Sequence, residues 1–381
     1  MKNILILSII CTMFLGCSRT YKSKIVLQDK LSRTHKLVFL DQSIGFCIAY
    51  YGESRFNNEC DKRINVDQDW FGHPEIGHLL VTENGGKDWA AIKAPLYTVE
   101  SYSFIDKLHG WISGGWADTS GQCHTGILHT IDGGKTFELQ ANFLANDLFF
   151  FDEQIGYAIG DNSIILRTDD GGKNWSQKTI KETNNNAGTR SANLRNISFS
   201  DKNFGMISGE NLTLLVTEDG GETWEQMIDK RSRSYGLFVG DFKHFSIASK
   251  KSIWAILGNN DLFHYDGSSW KQFSDKDFLK MGLLENCQSK PFYYNGFIYD
   301  ISFSDKNNGW VIGEGHIFYT QNGGKKWKSF PLKINENTDI DYCRDDVAKS
   351  MKYKQISVLK DNSCFIAGGN SYGVQSLFKI E

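Results

Sequence analysis

The sequence predicts an all-β protein, a seven-bladed β-propeller of four-stranded antiparallel blades, and three observations lead to this prediction. The 381 residues contain 37 glycines, 26 Phe, 15 Tyr and 10 Trp but only 4 prolines, a composition rich in turns and aromatic strands. A short motif ending in Gly-Gly-x-x-aromatic returns at intervals of roughly 40 to 55 residues. A second motif, Gly-aromatic-x-x-Gly, stands upstream of most of these copies.

The first motif has the form Thr-x-Asp/Asn-Gly-Gly-x-x-aromatic and is present in five copies, with a degenerate sixth at residues 265–270. Such a segment is predicted to form a hairpin turn, in which the Thr and Asp side chains bond loop NH groups and the glycines adopt positive φ. The aromatic residue then folds back onto the sheet. Because the motif recurs once per unit, we predict a structural role, rather than catalysis or calcium binding, for its defining residues: Thr82, Asn84, Gly86 and Trp89; Thr130, Asp132, Gly134 and Phe137; Thr168, Asp170, Gly172 and Trp175; Thr217, Asp219, Gly221 and Trp224; Thr320, Asn322, Gly324 and Trp327.

Each repeat unit supplies four short apolar strands, which is the content of one propeller blade. The first strands are predicted near Val38, Tyr102, Leu148, Ile197, Phe238, Ile301 and Ile356. The seventh unit ends at residue 380 without a fourth strand, whereas residues 25–27 form an unpaired apolar run before the first unit. Pairing these two segments would close the ring and remove an exposed edge. The prediction is therefore a single propeller domain over residues 25–381.

The N-terminal segment predicts export and attachment to a membrane. An apolar run over residues 4–15 is typical of a secretory signal and short for a transmembrane span. Its ending resembles a bacterial lipobox, which implies a signal peptide at 1–16 and a lipidated Cys17 that begins a tether at 17–24. An ordinary signal peptide cut nearby and an uncleaved anchor are the alternatives. Ser18 resembles the residue that directs some Gram-negative lipoproteins to the outer membrane, so this membrane is the expected location, on a side that the sequence leaves open.

The repeats resemble the Asp-box, or BNR, repeat of bacterial sialidases, sortilin-type receptors, xyloglucanases and photosystem II assembly factors. The second motif begins about a dozen residues upstream of the first, as at Gly156 and Thr168, and this spacing is most similar to that of the assembly factors. The resemblance covers nearly all of the predicted domain and implies a propeller fold. It also implies a non-enzymatic binding or assembly module, without implying a photosynthetic partner.

Export permits the cysteines to form disulfides. Two pairs could link long loops of neighbouring blades, and they are Cys60 with Cys123 and Cys287 with Cys343. The sequence leaves this connectivity open. Cys47 and Cys364 fall in second strands and are predicted to be small buried thiols. The sequence contains no CxxC spacing, and we predict no metal site and no cofactor.

The long connections predict where a partner binds. In an up-and-down blade the turns between strands one and two and between strands three and four share one face, which we call the Asp-box face. The remaining connections share the opposite face, which we call the insertion face because nearly every long loop is predicted there. Long loops on one side of a rigid scaffold commonly carry binding sites. The aromatic and basic residues predicted to line this site are Arg55, Arg63, Trp70, His73, Trp116, Arg190, Arg195, Arg231, Arg233, Tyr293, Tyr294 and Arg344.

The predicted function is a membrane-anchored, non-enzymatic binding or assembly module whose partner is an envelope protein or a glycan. A net charge of −3 argues against nucleic acid as a partner. The alternatives are a glycoside hydrolase of the sialidase-like or xyloglucanase-like kind, and a surface lipoprotein that captures glycans or peptides. The Arg-Ile-Pro signature of sialidases is absent from the sequence, whereas Asp67, Asp69 and Glu285 stand as possible loop carboxylates.

Overall fold

The protein forms a ring of β-sheets. The computed structural model describes residues 23–28, 33–51, 76–96, 98–117, 122–181, 192–228, 241–258, 261–273, 277, 298–313, 316–330, 352–369 and 375–380. Within them, seven sheets are each built on four antiparallel strands. No helix in this part of the chain is long and apolar enough to cross a membrane. The predicted all-β, seven-bladed propeller is confirmed.

The strands follow a simple order, in which each blade takes consecutive strands and the first strands of neighbouring blades contact one another around the ring. The chain begins with β1 (Ser23–Gln28), followed in blade 1 by β2 (Arg33–Phe39), β3 (Gly45–Tyr51), β4 (Ile76–Thr82) and β5 (Ala90–Ala91), and in blade 2 by β6 (Thr98–Phe104), β7 (Gly110–Ala117), β8 (Cys123–Thr130) and β9 (Glu138–Ala141). Blade 3 contains β10 (Asp147–Phe150), β11 (Gly156–Ile159), β12 (Ile165–Thr168) and β13 (Ser176–Gln177); after the short strand β14 (Thr179–Ile180), blade 4 contains β15 (Leu194–Phe199), β16 (Gly205–Gly209), β17 (Thr213–Thr217) and β18 (Thr223–Gln226). Blade 5 contains β19 (Phe242–Ser249), β20 (Ser252–Leu257), β21 (Asp261–Tyr265) and β22 (Trp270–Gln272); blade 6 contains β23 (Ile298–Phe303), β24 (Gly309–Gly313), β25 (Ile317–Thr320) and β26 (Lys328–Ser329); blade 7 contains β27 (Lys352–Val358), β28 (Cys364–Gly369) and β29 (Gln375–Ile380).

The N-terminal strand closes the ring, as predicted. β1 pairs antiparallel with β29, from Ser23 opposite Ile380 to Gln28 opposite Ser376, and so becomes the fourth strand of blade 7. The partner strand contributes Leu377, Phe378 and Ile380 to the buried core. The two ends of the chain therefore form one sheet, and the last blade has no open outer edge at β29.

Aromatic stacking joins neighbouring blades. Trp111, from the Gly-aromatic motif of blade 2, is fully buried and stacks on Phe150 at the end of the first strand of blade 3, with ring centroids 3.6 Å apart. Equivalent stacking joins four other pairs of neighbouring blades: Phe46 with Phe104, Tyr157 with Phe199, Trp254 with Phe303, and Phe365 with Phe39. In blades 1, 2, 3 and 6 the glycine before the motif aromatic leaves room for the first-strand Phe of its own blade, and in blade 3 a Cβ on Gly156 would lie 2.2 Å from Phe150.

The two sequence motifs interlock by hydrogen bonds between blades 2 and 3 and between blades 3 and 4. The indole Nε1 of Trp111 donates to the carbonyl oxygen of Gly171 in the next Asp-box at 2.9 Å, and the Tyr157 hydroxyl donates to Gly220 at 2.6 Å. The following glycine, Gly221, has a φ of +77°, and a Cβ there would lie 2.5 Å from the Tyr157 ring. Glycine is thus required both by the turn and by the close approach of the neighbouring blade.

Two elements differ from expectation. The first strand of blade 5 is β19, which begins at Phe242, whereas the sequence placed it near Phe238. A two-residue turn, Lys250 and Lys251, joins β19 to β20, whereas the other blades use a five-residue turn. β19 therefore ends only two residues before β20 and lies later in the sequence than predicted. β14 was not predicted; it pairs in parallel with β18 and adds a fifth strand to the outer edge of blade 4.

Cys47 and Cys364 are free and buried in β3 and β28, which confirms the prediction for these two thiols. Burial raises the pKa of each thiol well above its ordinary value, so little of either is present as the reactive thiolate. We expect neither cysteine to be alkylated by iodoacetamide in the folded protein at mildly alkaline pH, and both to be alkylated once the chain is unfolded. Mass spectrometry of the digested protein measures this, and equal alkylation rates before and after unfolding would contradict the packing described.

Candidate functional site

The two faces of the ring differ in the length of their connections. On the Asp-box face, every connection between consecutive described strands is two to seven residues long. On the insertion face, the connections at 52–75, 181–193, 227–241, 273–297 and 330–351 are much longer. The scaffold therefore has short turns on one face and most of its long connections on the other, as the sequence predicted.

The Asp-box side chains are engaged within their own hairpins. In blade 3, Thr168 Oγ1 accepts from the Gly172 NH at 2.8 Å, and Asp170 Oδ1 accepts from the Asn174 NH at 2.9 Å. The other four Asp-boxes repeat the bond from the second glycine to the Thr hydroxyl. Hydroxyl and amide donors of Thr136 lower the pKa of Asp132 to about 2. In the described residues no group of His, Cys, Asp and Glu side chains could hold a metal ion.

A ring of polar side chains lies on the first strands, which surround the central channel of the propeller. Each blade contributes one residue at the equivalent position, and the set is Lys36, Ser101, Asp147, Asn196, His244, Asp300 and Gln355. Lys36 Nζ reaches from blade 1 to Asp147 Oδ1 of blade 3 at 2.6 Å, and the same oxygen accepts from Ser101 Oγ at 2.8 Å. Asp147 Oδ2 accepts from the Ile197 NH of blade 4 at 3.0 Å. This carboxylate thereby links three other blades to its own.

A second carboxylate makes the corresponding connection between blades 6 and 7. Asp300 Oδ2 accepts from the Ile356 NH at 3.1 Å and Asp300 Oδ1 accepts from the Ile301 NH at 2.8 Å. Burial raises the pKa of Asp300, and His244 opposes this shift with its Nδ1 3.7 Å from Oδ1. Both buried channel carboxylates thus have structural partners, and neither is left as an unengaged acid or base.

One-residue bulges form the mouth of the channel on the insertion face. Six of the seven first strands carry a register shift near their N-terminal end, which lies on this face. The bulged residues are His35, Glu100, Arg195, Lys243, Tyr299 and Lys354. Bulges redirect a side chain away from the regular alternation of a strand. Arg195, Lys243 and Lys354, from blades 4, 5 and 7, are exposed there. We call these three residues the basic mouth.

Neighbouring contacts hold parts of the basic mouth in position. Arg195 Nη2 forms an ion pair with Glu210 in the turn between β16 and β17. The carbonyl oxygen of Lys243 in blade 5 accepts from Asn196 Nδ2 of blade 4 at 2.8 Å. Side chains carried on strands are held more precisely than side chains carried on loops.

Of the residues predicted to line the insertion face, the structure describes two. Trp116 lies in β7, where its ring stacks against His124 of β8 with centroids 5.5 Å apart, and Arg195 lies in β15. Neither is a loop residue. Ten predicted residues lie outside the described residues, and they are Arg55, Arg63, Trp70, His73, Arg190, Arg231, Arg233, Tyr293, Tyr294 and Arg344.

The predicted disulfides fall mostly outside the described part of the chain. Cys123 begins β8 and is disulfide-bonded. Its predicted partner Cys60, and the predicted pair Cys287 and Cys343, lie outside the described residues, as does the predicted lipidation site Cys17. The pairings therefore stay predictions.

The sequence predicted Arg195 as a site residue but neither its bulge nor Lys243 and Lys354, although a signal for the bulges is present. In blade 4 the buried residues of the first strand are Leu194, Ile197 and Phe199, so the apolar spacing is three and then two. A regular strand has a constant spacing of two. The extra residue in the first interval marks the bulge, and the same spacing is present at Ile298, Ile301 and Phe303.

Comparison with known proteins agrees with this geometry. The family model described as Photosynthesis system II assembly factor YCF48 matches residues 135–230. The solved structure "YCF48 bound to D1 peptide" is 17% identical, with a TM-score of 0.57 over 94% of this chain and 96% of that chain. A GH74 xyloglucanase from Xanthomonas campestris is 11% identical, with a TM-score of 0.55 over 94% of this chain and 53% of that chain. The WD40 propeller domain of Doa1 is 10% identical, with a TM-score of 0.52 over 94% and 97% of the two chains. The search of curated proteins gave no significant match.

The fold and the repeated Asp-box hairpins define a BNR-type β-propeller. Among such propellers, this chain is similar to YCF48 in both its repeat and its architecture. Because the YCF48 and xyloglucanase structures are only 17% and 11% identical to this chain, their likeness shows the propeller fold.

Proposed function

We propose that the protein is a lipid-anchored, non-enzymatic assembly module that binds an extended segment of a membrane-protein partner at its insertion face. The observation that carries the proposal is the basic mouth, where Arg195, Lys243 and Lys354 are exposed on rigid strands around the channel. Guanidinium and ammonium groups recognise carboxylates, so an acidic segment or a C-terminal carboxylate suits this surface. The similar YCF48 structure was solved with a peptide, and this supports peptide recognition as the mode of binding.

The anchor orients this surface. Cys17 lies six residues before Ser23, where β1 begins on the Asp-box face of blade 7, and such a tether spans at most about 22 Å. A lipid on Cys17 would keep the Asp-box face towards the bilayer. The insertion face would then point away from the membrane and be open to the extramembrane part of a partner.

Glycoside hydrolysis is the alternative function, and fewer observations support it than support binding. A glycosidase needs two carboxyl groups with room for a water or a covalent intermediate between them. The buried carboxylates beside the channel, Asp147 and Asp300, are engaged by Lys36 and by backbone NH groups. The other candidates, Asp67, Asp69 and Glu285, lie outside the described residues.

The test compares the amount of partner protein that is captured by variants with substitutions on one face or on the other. Every described strand lies between Ser23 and Ile380, so a chain starting at Ser18 retains the whole ring and serves as bait in a detergent-solubilised envelope extract. The site variant carries Arg195→Ala, Lys243→Ala and Lys354→Ala. The matched control carries Lys107→Ala, Lys135→Ala and Lys173→Ala, which removes the same charge from the Asp-box face.

We expect the original chain and the control to capture the same protein, and the site variant to lose at least about tenfold of it. Synthetic segments of the captured protein then identify the bound peptide by calorimetry. Equal capture by the two variants would disprove the assignment of the site. Release of sugar from an envelope polysaccharide by the chain, with no protein captured, would replace the proposal with the hydrolase reading.

A further inference from the structure

Positively and negatively charged side chains are unevenly distributed over the Asp-box face. In the Asp-box-face turns of blades 5–7, at 250–251, 266–269, 304–308, 321–327 and 359–363, six lysines stand against three aspartates. In the equivalent turns of blades 2–4, four lysines stand against ten carboxylates. The whole protein has a net charge of −3, so the positive sector is a local feature that the composition conceals.

The lysines of the positive sector are exposed, and they are Lys250, Lys251, Lys306, Lys325, Lys326 and Lys360. Five of them, all except Lys326, have no carboxylate of any described residue within the 4.0 Å limit of an ion pair. In the opposite sector, by contrast, Lys202 pairs with Asp152 at 2.8 Å and Lys107 pairs with Glu83 at 3.8 Å. The positive charge of blades 5–7 is therefore available to a ligand outside the molecule.

The three aspartates of this sector are directed at the backbone of their own turns. Asp266 Oδ1 accepts from the NH groups of Ser268 and Ser269, each at 2.9 Å, and Asp305 Oδ1 accepts from those of Asn307 and Asn308. Asp361 Oδ1 accepts from the Ser363 NH at 3.0 Å. The three aspartates are exposed as the lysines are, but each bonds to its own turn, and the lysines outnumber them six to three, so an anionic surface would meet a net positive charge.

The position of the N-terminal strand supplies the second observation. β1 begins at Ser23 opposite Ile380, on the Asp-box face of blade 7, and this blade belongs to the positive sector. The chain from Cys17 therefore joins the ring at blade 7, which belongs to the positive sector, rather than at blade 3 or blade 4.

We propose that the Asp-box face of blades 5–7 docks on the headgroups of anionic phospholipids in the membrane that holds the tether. Lysines close to an anionic bilayer are attracted to its negative surface potential, and the attraction falls off within a Debye length. The lysines would add this electrostatic attraction to the hold of the lipidated cysteine. The ring is then tilted, with blades 5–7 against the membrane and the acidic turns of blades 3 and 4 raised from it.

The proposal uses the lipid anchor of the proposed function only for the direction of approach, and it is independent of the partner at the insertion face. It can therefore be measured on the unlipidated chain that starts at Ser18. Sedimentation with vesicles of phosphatidylcholine, with and without phosphatidylglycerol, measures binding at low and at high salt.

The test variant carries Lys250→Gln, Lys306→Gln, Lys325→Gln and Lys360→Gln. The matched control carries Lys107→Gln, Lys135→Gln, Lys173→Gln and Lys202→Gln, which removes the same charge from turns of blades 2–4. Thermal unfolding of both variants verifies that the fold is intact, and capture of the partner verifies that the insertion face is intact.

We expect the original chain and the control to bind the anionic vesicles at low salt, and the test variant to bind at least about tenfold more weakly. Binding should disappear at high salt and on vesicles of phosphatidylcholine alone. Absence of binding to anionic vesicles by the original chain, or an equal loss in both variants, would overturn the proposal. Neither result would affect partner capture, so the two proposals can fail separately.

Discussion

Removal of β1 is expected to abolish cooperative folding of the ring. A chain that starts at residue 29 leaves β29 without its outer partner, because the pairing from Ser23 to Gln28 is lost. An open strand edge associates with other chains, and blade 7 would lose one of its four strands. We expect no sharp thermal transition by circular dichroism, and self-association by size-exclusion chromatography.

A chain that starts at Lys22 is the matched control, because it removes the preceding residues and keeps β1 whole. It should unfold like the chain that starts at Ser18. A synthetic peptide with the β1 sequence SKIVLQ should restore the transition when added to the shorter chain. If the chain that starts at residue 29 unfolded at the same temperature as the control, closure by β1 would be wrong.

Replacement of Trp111 by Ala is expected to have the largest effect of any single substitution at a blade boundary. The change removes a fully buried indole, its stacking on Phe150 and its hydrogen bond to Gly171. Loss of a buried aromatic side chain costs about 3 to 5 kcal/mol of unfolding free energy. Chemical unfolding followed by circular dichroism measures this as a lower midpoint.

Trp111→Phe keeps an aromatic ring against Phe150 but removes the donor to Gly171 and part of the indole. Its expected cost is smaller, since the net contribution of one hydrogen bond is about 1 kcal/mol. If Trp111→Ala and Trp111→Phe destabilised the protein equally, stacking would not be what holds blades 2 and 3 together.

The architecture could be predicted because its determinants are local and repeated. A hairpin motif such as Thr168 to Trp175 needs only its own side chains and glycines to form, and the structure shows these bonds within the loop. Closure could be inferred from an unpaired apolar run at each end of the chain. The interlock of Trp111 with Gly171 could not be inferred, because stacking between blades depends on their relative placement.

The departures from prediction have physical causes. Blade 5 lacks the glycine before its motif aromatic, where Ile253 precedes Trp254, and a turn of Lys250 and Lys251 replaces the longer Asp turn. With both markers missing, its first strand was placed too early in the chain. The candidate site was only partly predicted, because the long connections have no periodicity, whereas the bulge at Arg195 changes the apolar spacing by a single residue.

The central claim, that a protein partner binds the insertion face while the Asp-box face meets the membrane, is tested most directly by photocrosslinking in cells. A photoreactive phenylalanine would replace Lys243 or Lys354 on the insertion face, and Lys135 or Lys325 on the Asp-box face. We predict a protein adduct of one constant mass from Lys243 and Lys354, and none from Lys135 and Lys325. A protein adduct formed only from the Asp-box positions would contradict the claim and reverse the orientation of the propeller.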